Sequence, residues 1–543
     1  MSTKKLLSIT NLKKYFPVAK SSIFQRKQLY VRANEDISLD IYEGETVGIV
    51  GESGCGKSTL GRVLLQLYPQ TAGSTMYYGV TIDSFTPKYV LKTLKHEKSF
   101  RSKVAKAQKK ENELKAKLDA AGGEEKADFY MIQDYNLAKC NTQTAFHNIV
   151  RIIGGFYAVP NEKDGINTLI ELFNLNKKKN NLAKDLKNVN VDLDHLIQTS
   201  NGKKSGKQDS LALKAKQIEK SISDIDKNIE AKRTALQKIK DKYASNEEFQ
   251  KYEAMLDDGI DLSRLDNEEM RVLRRDLQII FQDPYSSLNP RFTIGQIIEE
   301  GLVTHKYFKH GSPKMRDYIV STMEKCGLQE YMLHRYPHQF SGGQRQRVAI
   351  ARALAVHPKF IVCDECVSAL DVSIQSQIIN LLQELKKKEN LTYMFISHDL
   401  SVVRYISDRI CVMYLGNVVE LADAATIFDD PRHPYTVALL SSIPTTDIDS
   451  MNKERIILEG NIPSPIVPPS GCKFHTRCYM ACEKCKRVPP PLREIEPGHF
   501  VACHFPERKI DENGNYLFKH PSMEKKSDRG PAADNAAENN DNK

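Results

Sequence analysis

The stretch TVGIVGESGCGKST, residues 46–59, decides the fold because it joins an apolar strand to a helix through a glycine-rich turn. It contains the G-x-x-x-x-G-K-[ST] phosphate loop in the strand–turn–helix context that this motif requires. The glycines let backbone N–H groups point inward around phosphate oxygens, and the helix N-terminus adds its positive dipole end. The residues predicted to bind a nucleotide are Gly51, Glu52, Ser53, Gly54, Cys55, Gly56, Lys57, Ser58 and Thr59.

Three residues of this loop have distinct predicted roles. Lys57 is expected to reach the β and γ phosphates of ATP, and the Ser58 hydroxyl to ligate Mg²⁺, a hard ion that prefers oxygen. Thr59 is expected to meet the α phosphate, whereas Cys55 occupies a variable slot. The alternative is a glycine turn that binds nothing, and the complete motif in its proper context argues against it.

A second apolar strand, FIVCDE at 360–365, ends in two carboxylates. Strand ends are where doubly wound α/β folds bind ligands, so Asp364 is predicted to hold Mg²⁺. Glu365 is predicted to be the general base that polarises the water attacking the γ phosphate. A third strand, YMFIS, places His398 at its end. We predict a γ-phosphate contact for His398, although buried histidines often only satisfy hydrogen bonds.

The chain is predicted to contain a discontinuous α/β domain, residues 1–85 and 263–430, interrupted by a lysine-rich helical insertion at 86–262. Two 4-3 apolar series in the insertion predict coiled-coil helices that pair as an antiparallel hairpin, with a small helical cluster at its tip. The longer series is Leu211, Ala215, Ile218, Ile222, Ile225, Ile229, Leu236, Ile239 and Tyr243, and the shorter is Phe100, Val104, Ala107, Leu114 and Leu118. A small Cys-rich domain at 431–523 and a disordered tail at 524–543 are expected to follow.

Composition narrows the class of protein. The chain has 543 residues, 40% of them hydrophobic and 27% charged, and contains no apolar run near the roughly 20 residues that span a bilayer. The N-terminus lacks the pattern of a secretory signal, so a cytoplasmic protein with reduced thiols is expected. The net charge of +10 fits nucleic acid, an anionic membrane surface or solvated lysine-rich helices, and does not distinguish them.

Further motifs follow in a fixed order: FQD at 281–283, FSGGQRQR at 340–347, SALD at 368–371 and ISHD at 396–399. Together with the phosphate loop and the Asp-Glu strand end, they resemble an ATP-binding cassette (ABC) domain. The FSGGQ element discriminates, because phosphate loops and Asp-Glu strand ends occur in many ATPases. The resemblance implies a RecA-like α/β core with a helical subdomain that carries the FSGGQ signature.

The resemblance also implies further site residues. Gln282 would sense Mg²⁺ and the attacking water while its loop contacts membrane subunits, and Asp371 would couple two sites across a dimer. Phe16 lies at the position where members of the family stack an aromatic ring on adenine. Tyr15 beside it is the alternative residue for this role. The signature residues would clamp the γ phosphate held by the opposing subunit: Ser341, Gly342, Gly343 and Gln344.

The sequences in and around the motifs, for example IIFQDPYSSLNPRFTIGQII at 279–298, resemble those of the F-type ATP-binding subunit of oligopeptide and dipeptide importers. The segments 433–444 and 471–507 resemble the tail of that group. This implies ATP hydrolysis in a composite dimer site that drives peptide import. The implied partners are a D-type ATPase subunit, two membrane-spanning permease subunits and, indirectly, an extracellular peptide-binding protein, but no nucleic acid. The implied location is peripheral, on the cytoplasmic face of the cell membrane.

Within the tail, four cysteines have the spacing C-x5-C-x6-C-x17-C, which in some relatives holds an iron–sulfur cluster. They are Cys472, Cys478, Cys485 and Cys503. By chemistry alone four thiolates suit a [4Fe–4S] cluster or zinc, and the absence of any metal also stays open. Cys482 is an additional thiol that makes a C-x2-C pair with Cys485 and complicates the assignment of ligands.

Two features depart from the family pattern: Cys366 stands where relatives usually have proline, and the insertion at 86–262 is foreign to most of the group. The main alternative function is a chromosome-maintenance or DNA-repair ATPase, since those also interrupt a cassette with coiled coil. The insertion here precedes the Gln282 loop rather than following it, which opposes that reading. A translation-associated ATPase usually carries two cassettes, whereas this chain has one phosphate loop and one FSGGQ.

Overall fold

The computed structural model describes residues 4–20, 28–123, 127–199, 206–443 and 456–506. The predicted tail at 524–543 and the last part of the predicted C-terminal domain lie outside these ranges. No helix in the described ranges combines the length and the apolar character needed to cross a membrane.

Twelve strands in the described residues form two sheets. An antiparallel sheet has the order β2-β1-β4-β5, and a larger, mixed sheet has the order β11-β12-β10-β9-β3-β8-β7-β6. The bounds are β1 Lys5–Pro17, β2 Tyr30–Tyr42, β3 Thr46–Val50, β4 Ala72–Tyr77, β5 Ile260–Asp261, β6 Leu277–Ile280, β7 Phe360–Asp364, β8 Thr392–Ile396, β9 Arg409–Tyr414, β10 Asn417–Asp423, β11 Arg493–Glu496 and β12 His499–Val501.

The parallel part of the large sheet positions the site. Strands β3, β7 and β8 are buried along their whole length, as expected for parallel strands covered on both faces. β8 lies between β3 and β7, and β6 pairs with β7, all in parallel. Their carboxyl ends therefore meet at one edge of the sheet, where the sequence places the phosphate loop, the Asp-Glu pair and His398.

The helices surround this sheet and form the inserted region. Two of them, α11 and α13, begin at capping boxes in which a Thr or Ser side chain and a Gln side chain satisfy the first backbone N–H groups. The bounds are α1 Lys57–Leu64, α2 Ile82–Phe85, α3 Lys88–Lys95, α4 Glu97–Ala120, α5 Phe129–Ile153, α6 Lys163–Thr199, α7 Gly206–Asp241, α8 Glu247–Glu253, α9 Asn267–Leu273, α10 Pro284–Ser287, α11 Ile294–Thr304, α12 Pro313–Lys325, α13 Gly342–Leu354, α14 Val372–Glu389, α15 Leu400–Ile406, α16 Ala424–Asp429, α17 Pro434–Ser441 and α18 Glu483–Arg487.

The chain leaves the antiparallel sheet at the end of β4 and returns to it at β5. The two points are neighbours in the sheet, since Tyr77 lies opposite Ile260. Within this region α4 packs along α5, and α6 packs along α7. The predicted pairing of the two 4-3 series with each other, α4 with α7, is therefore wrong. Each long helix instead pairs with a helix adjacent in the chain, and the α7 seam is buried at Ala215, Ile218, Ile225, Ile229 and Leu236.

The aliphatic and aromatic segment around the end of α5 does not form a cluster at a hairpin tip. Ile149, Ile153 and Phe156 share a buried cluster with Tyr89, and Arg151 of α5 donates to Ser74 of β4. The cluster thus lies next to the antiparallel sheet. Its apolar area is buried between helices, since α3 and α6 also contribute residues to the cluster.

Helix α6 contacts two distant parts of the nucleotide-binding domain. Near its middle, Asn176 donates to Asp83 of α2 at 2.8 Å. Toward its C-terminus, Asp192 pairs with Lys309 at 2.7 Å between α11 and α12, and Gln198 accepts a hydrogen bond from Ser312. One long helix therefore connects the edge of the antiparallel sheet to the helical layer that precedes the FSGGQ element.

Candidate nucleotide site

The phosphate loop needs glycine at its first and last glycine positions. Gly51 has φ 148° and Gly56 has φ 100°, a left-handed region that other residues rarely adopt. A Cβ atom on Gly51 would lie 2.2 Å from the Met413 carbonyl oxygen, and one on Gly56 would lie 2.0 Å from the Ala33 carbonyl oxygen. The loop backbone is thus packed tightly against its neighbours, which holds its N–H groups in a fixed arrangement.

Lys57 is only 5% exposed and is folded back onto its own loop. Its ammonium group donates to the carbonyl oxygens of Gly51 at 2.7 Å and Glu52 at 3.1 Å. These are neutral acceptors, and phosphate oxygens would bind the ammonium group more strongly because they carry charge. The position agrees with the predicted phosphate contact, which stays a prediction.

Ser58 and Asp364 lie together where an ion is expected. The Ser58 hydroxyl donates to Asp364 Oδ1 at 2.6 Å, and the Asp364 side chain is nearly fully buried. Hydroxyl and carboxylate oxygens are the ligands that Mg²⁺ prefers, so this donor set fits the ion that accompanies ATP. Arg62 lies 3.4 Å from Asp364 Oδ2. It is not among the site residues predicted from the sequence. Its i+4 spacing from Ser58 on α1 was the available signal.

Glu365 brings the remaining predicted polar residues together. Gln282 donates to Glu365 Oε2 at 2.9 Å, and His398 Nδ1 lies 3.5 Å from the same oxygen. Glu365 itself has φ 49°, and its N–H donates to the Ile396 carbonyl oxygen. Non-glycine residues held at positive φ cluster at functional sites. Cys366 is buried behind this turn and leaves both carboxylates at the strand end.

The signature residues begin helix α13 at a different place. Ser341 accepts a hydrogen bond from the Gln344 N–H and caps the helix, and Gly343 packs against Ile374, where a Cβ would meet a methyl group at 2.4 Å. Within the described chain, no hydrogen bond or ion pair joins residues 341–344 to residues 51–59. Asp371 is exposed at the start of α14. Their predicted roles require a second subunit.

The two candidates for adenine stacking differ in their surroundings. The Tyr15 hydroxyl donates to Glu35 Oε1 at 2.5 Å, and burial with the Glu35 charge raises the Tyr15 pKa far above its usual range. Phe16 lies edge-on to Tyr68, with ring centroids 5.5 Å apart. Because Tyr15 is already engaged by a polar partner, Phe16 stays the predicted stacking residue.

The four tail cysteines of the predicted spacing line one small cavity, and Cys482 does not line it. Burial raises the pKa of Cys472 to about 11 and that of Cys478 to about 12. In the part of the chain that the structure describes, no three His, Cys, Asp or Glu side chains converge as ligands of one metal ion. The thiols are therefore grouped but not arranged around a single ion.

The profile of the ABC transporter family matches residues 34–208 and 232–368, more than half of the chain. This chain is an ABC transporter family member. A second profile, of the oligopeptide/dipeptide transporter C-terminal region, matches residues 419–485. Membership confirms the resemblance and the α/β nucleotide-binding fold of an ABC ATPase, an enzyme class that uses ATP and Mg²⁺.

Curated relatives of this ABC protein match slightly less than half of its length. The putative oligopeptide transport ATP-binding protein YkfD of Bacillus subtilis is 53% identical over 248 residues, which are 45% of this chain and 75% of the relative. AppF, an oligopeptide transport ATP-binding protein of the same organism, is 52% identical with the same coverage. OppF of Haemophilus influenzae is 49% identical over 247 residues, 45% of this chain and 74% of that protein.

Proposed function

We propose that this chain binds and hydrolyses ATP to energise an ABC importer of oligopeptides or dipeptides. The observation that carries the proposal is the match of residues 419–485 to the oligopeptide/dipeptide transporter C-terminal region on the same chain as the cassette. The names of the relatives at about half identity support the same substrate class. No observation favours the chromosome-maintenance or DNA-repair alternative.

The proposed chemistry uses the residues at the carboxyl edge of the sheet. Ser58 and Asp364 would hold the Mg²⁺ that arrives with ATP, and Lys57 would bind the β and γ phosphates. Water attacks the γ phosphorus, a P–O bond forms, and the bond to the β-phosphate oxygen breaks to release ADP. Glu365 accepts the proton of that water. Gln282 and His398, both close to Glu365 Oε2, orient the water and contact the γ phosphate.

The proposed catalytic unit is a pair of cassettes. In the described chain no hydrogen bond or ion pair joins residues 341–344 to residues 51–59, so we expect each ATP to use the signature of a partner, proposed to be a D-type subunit. Asp371 would connect the two sites. Two permease subunits would complete the machine at the cytoplasmic face of the membrane, with an external peptide-binding protein supplying substrate.

Purification of the tagged chain from its native membrane tests this assembly. We expect recovery of a second cassette subunit and two membrane-spanning proteins in equal amounts. The same preparation should show ATPase activity stimulated by peptide-loaded binding protein. Recovery of DNA-associated proteins without a permease would contradict the importer and favour the alternative.

We also propose that Cys472, Cys478, Cys485 and Cys503 hold a [4Fe–4S] cluster. Four thiols around one cavity suit a cluster, whose irons are spread over a larger volume than a single zinc ion. Such a group would cross-link the C-terminal domain. Iron and sulfide analysis of anaerobically purified protein should give about four of each per chain. Finding zinc, or neither metal with full ATPase activity, would contradict the cluster.

A further inference from the structure

The cysteine-bearing segment of the C-terminal domain contacts the phosphate loop directly. The Arg477 guanidinium donates to both carboxylate oxygens of Glu52, at 2.7 and 3.0 Å. The backbone N–H of Glu52 donates to the Tyr435 hydroxyl at 2.8 Å. The second residue of the loop is therefore held at its side chain and at its backbone by elements that lie more than 380 residues later in the chain.

Arg477 is carried on a well-anchored segment. Phe474 is 1% exposed and packs against the rings of Tyr414 and Tyr435, with centroids 5.2 and 5.3 Å away. Lys473 donates to the Leu415 carbonyl oxygen and to Asn417. The guanidinium is thus fixed by packing, a requirement for a group that positions another.

The pair matters because Glu52 belongs to a loop that must accept phosphates. An unpaired carboxylate there would repel the triphosphate, and the repulsion is strong because the surroundings exclude much of the water. The side chain of Arg477 is 7% exposed and that of Glu52 is 23% exposed. Two-point contact with a guanidinium neutralises the carboxylate and fixes its direction.

We propose that Arg477 is a positioning residue of the nucleotide site, which supports ATP binding by neutralising and orienting Glu52. In this proposal Arg477 acts through its contact with Glu52. The inference rests on the proposed ATP site and extends it to the C-terminal domain. It gives that domain a role in nucleotide affinity.

The test is a double-mutant cycle on the full-length chain, with Mg-AMP-PNP as the ligand and its Kd measured by calorimetry. We expect R477Q to raise the Kd about tenfold, because it leaves Glu52 charged and unpaired. E52Q should lower the Kd, because it leaves the positive charge of Arg477 uncompensated beside the phosphate loop. The E52Q/R477Q variant should return to within about twofold of the unmodified chain, since no free carboxylate remains.

Two further variants serve as controls. K486Q removes one positive charge from the same domain at an exposed residue paired with Glu483, and its Kd should not change. R477K keeps the charge but loses the two-point contact, so its Kd should rise only two- to threefold. R477K also keeps the test informative if R477Q fails to fold, which thermal melting would show.

The measurements distinguish an error in the role of Arg477 from an error in the proposed ATP site. If E52Q/R477Q binds as weakly as R477Q, or if R477Q binds normally, Arg477 does not act through the Glu52 charge and the inference is overturned. Loss of binding in K57A alongside a normal R477Q would remove only the inference. Normal binding in K57A would remove the nucleotide site itself.

Discussion

Replacing Glu365 with glutamine should leave ATP binding intact and slow hydrolysis about 10²–10⁴-fold, the usual contribution of a general base. The amide has the shape of the carboxylate but cannot accept the proton of the attacking water. Gln282 and His398, which lie beside Glu365 Oε2, would still hold the water. Single-turnover hydrolysis of radiolabelled ATP, together with equilibrium nucleotide binding, measures both quantities.

A matched control for this variant is Glu330→Gln, at an exposed residue between α12 and α13 that pairs with Arg316. Its hydrolysis rate should equal that of the unmodified chain. If Glu365→Gln also turned over at the unmodified rate, Glu365 would be removed from the general-base role. Binding lost together with hydrolysis would instead show that the variant had disturbed the turn after β7.

Replacing Lys57 with alanine should raise the Kd for MgATP by roughly a hundredfold, because a buried ammonium group is lost from the phosphate site. The carbonyl oxygens of Gly51 and Glu52 lose their donor in the free protein as well. The melting temperature should therefore fall slightly even without nucleotide. Equilibrium binding and thermal melting, each with and without MgATP, separate the two effects.

The control for this second variant is Lys117→Ala, at an exposed lysine of α4. It should bind MgATP normally and should gain the usual thermal stabilisation from the ligand. Lys57→Ala should gain almost none at the same concentration. An equal ligand-induced shift in both variants would exclude Lys57 from the phosphate site.

The sequence allowed the centre of the site to be predicted because its motifs are local. A phosphate loop needs glycines at fixed offsets, and carboxylates at parallel strand ends meet at one sheet edge, so Lys57, Asp364 and Glu365 could be placed together. Pairing inside the inserted region could not be predicted this way. A 4-3 spacing shows that a helix has an apolar seam, but not which other seam covers it.

The contact between Arg477 and Glu52 could not be predicted for a different reason. The two residues are 425 positions apart, and neither belongs to a pattern that names the other. The spacing of the cysteines predicts metal ligands and carries no information about the arginine between them. This ion pair depends on the tertiary packing of Phe474 and Tyr435, which no local sequence pattern describes.

Tyr77 of β4 pairs with Ile260 of β5. More than 180 residues are therefore inserted where the sheet by itself would need only a tight hairpin turn. Because the two strands pair directly, we expect the strand order and the phosphate loop to be unaffected by how much chain is placed there. This makes the β4–β5 junction a natural point for grafting: a fluorescent or affinity module whose own ends lie close together could replace the helices. Such a graft would sever the contacts of α6 with Lys309 and Ser312 and that of Arg151 with Ser74.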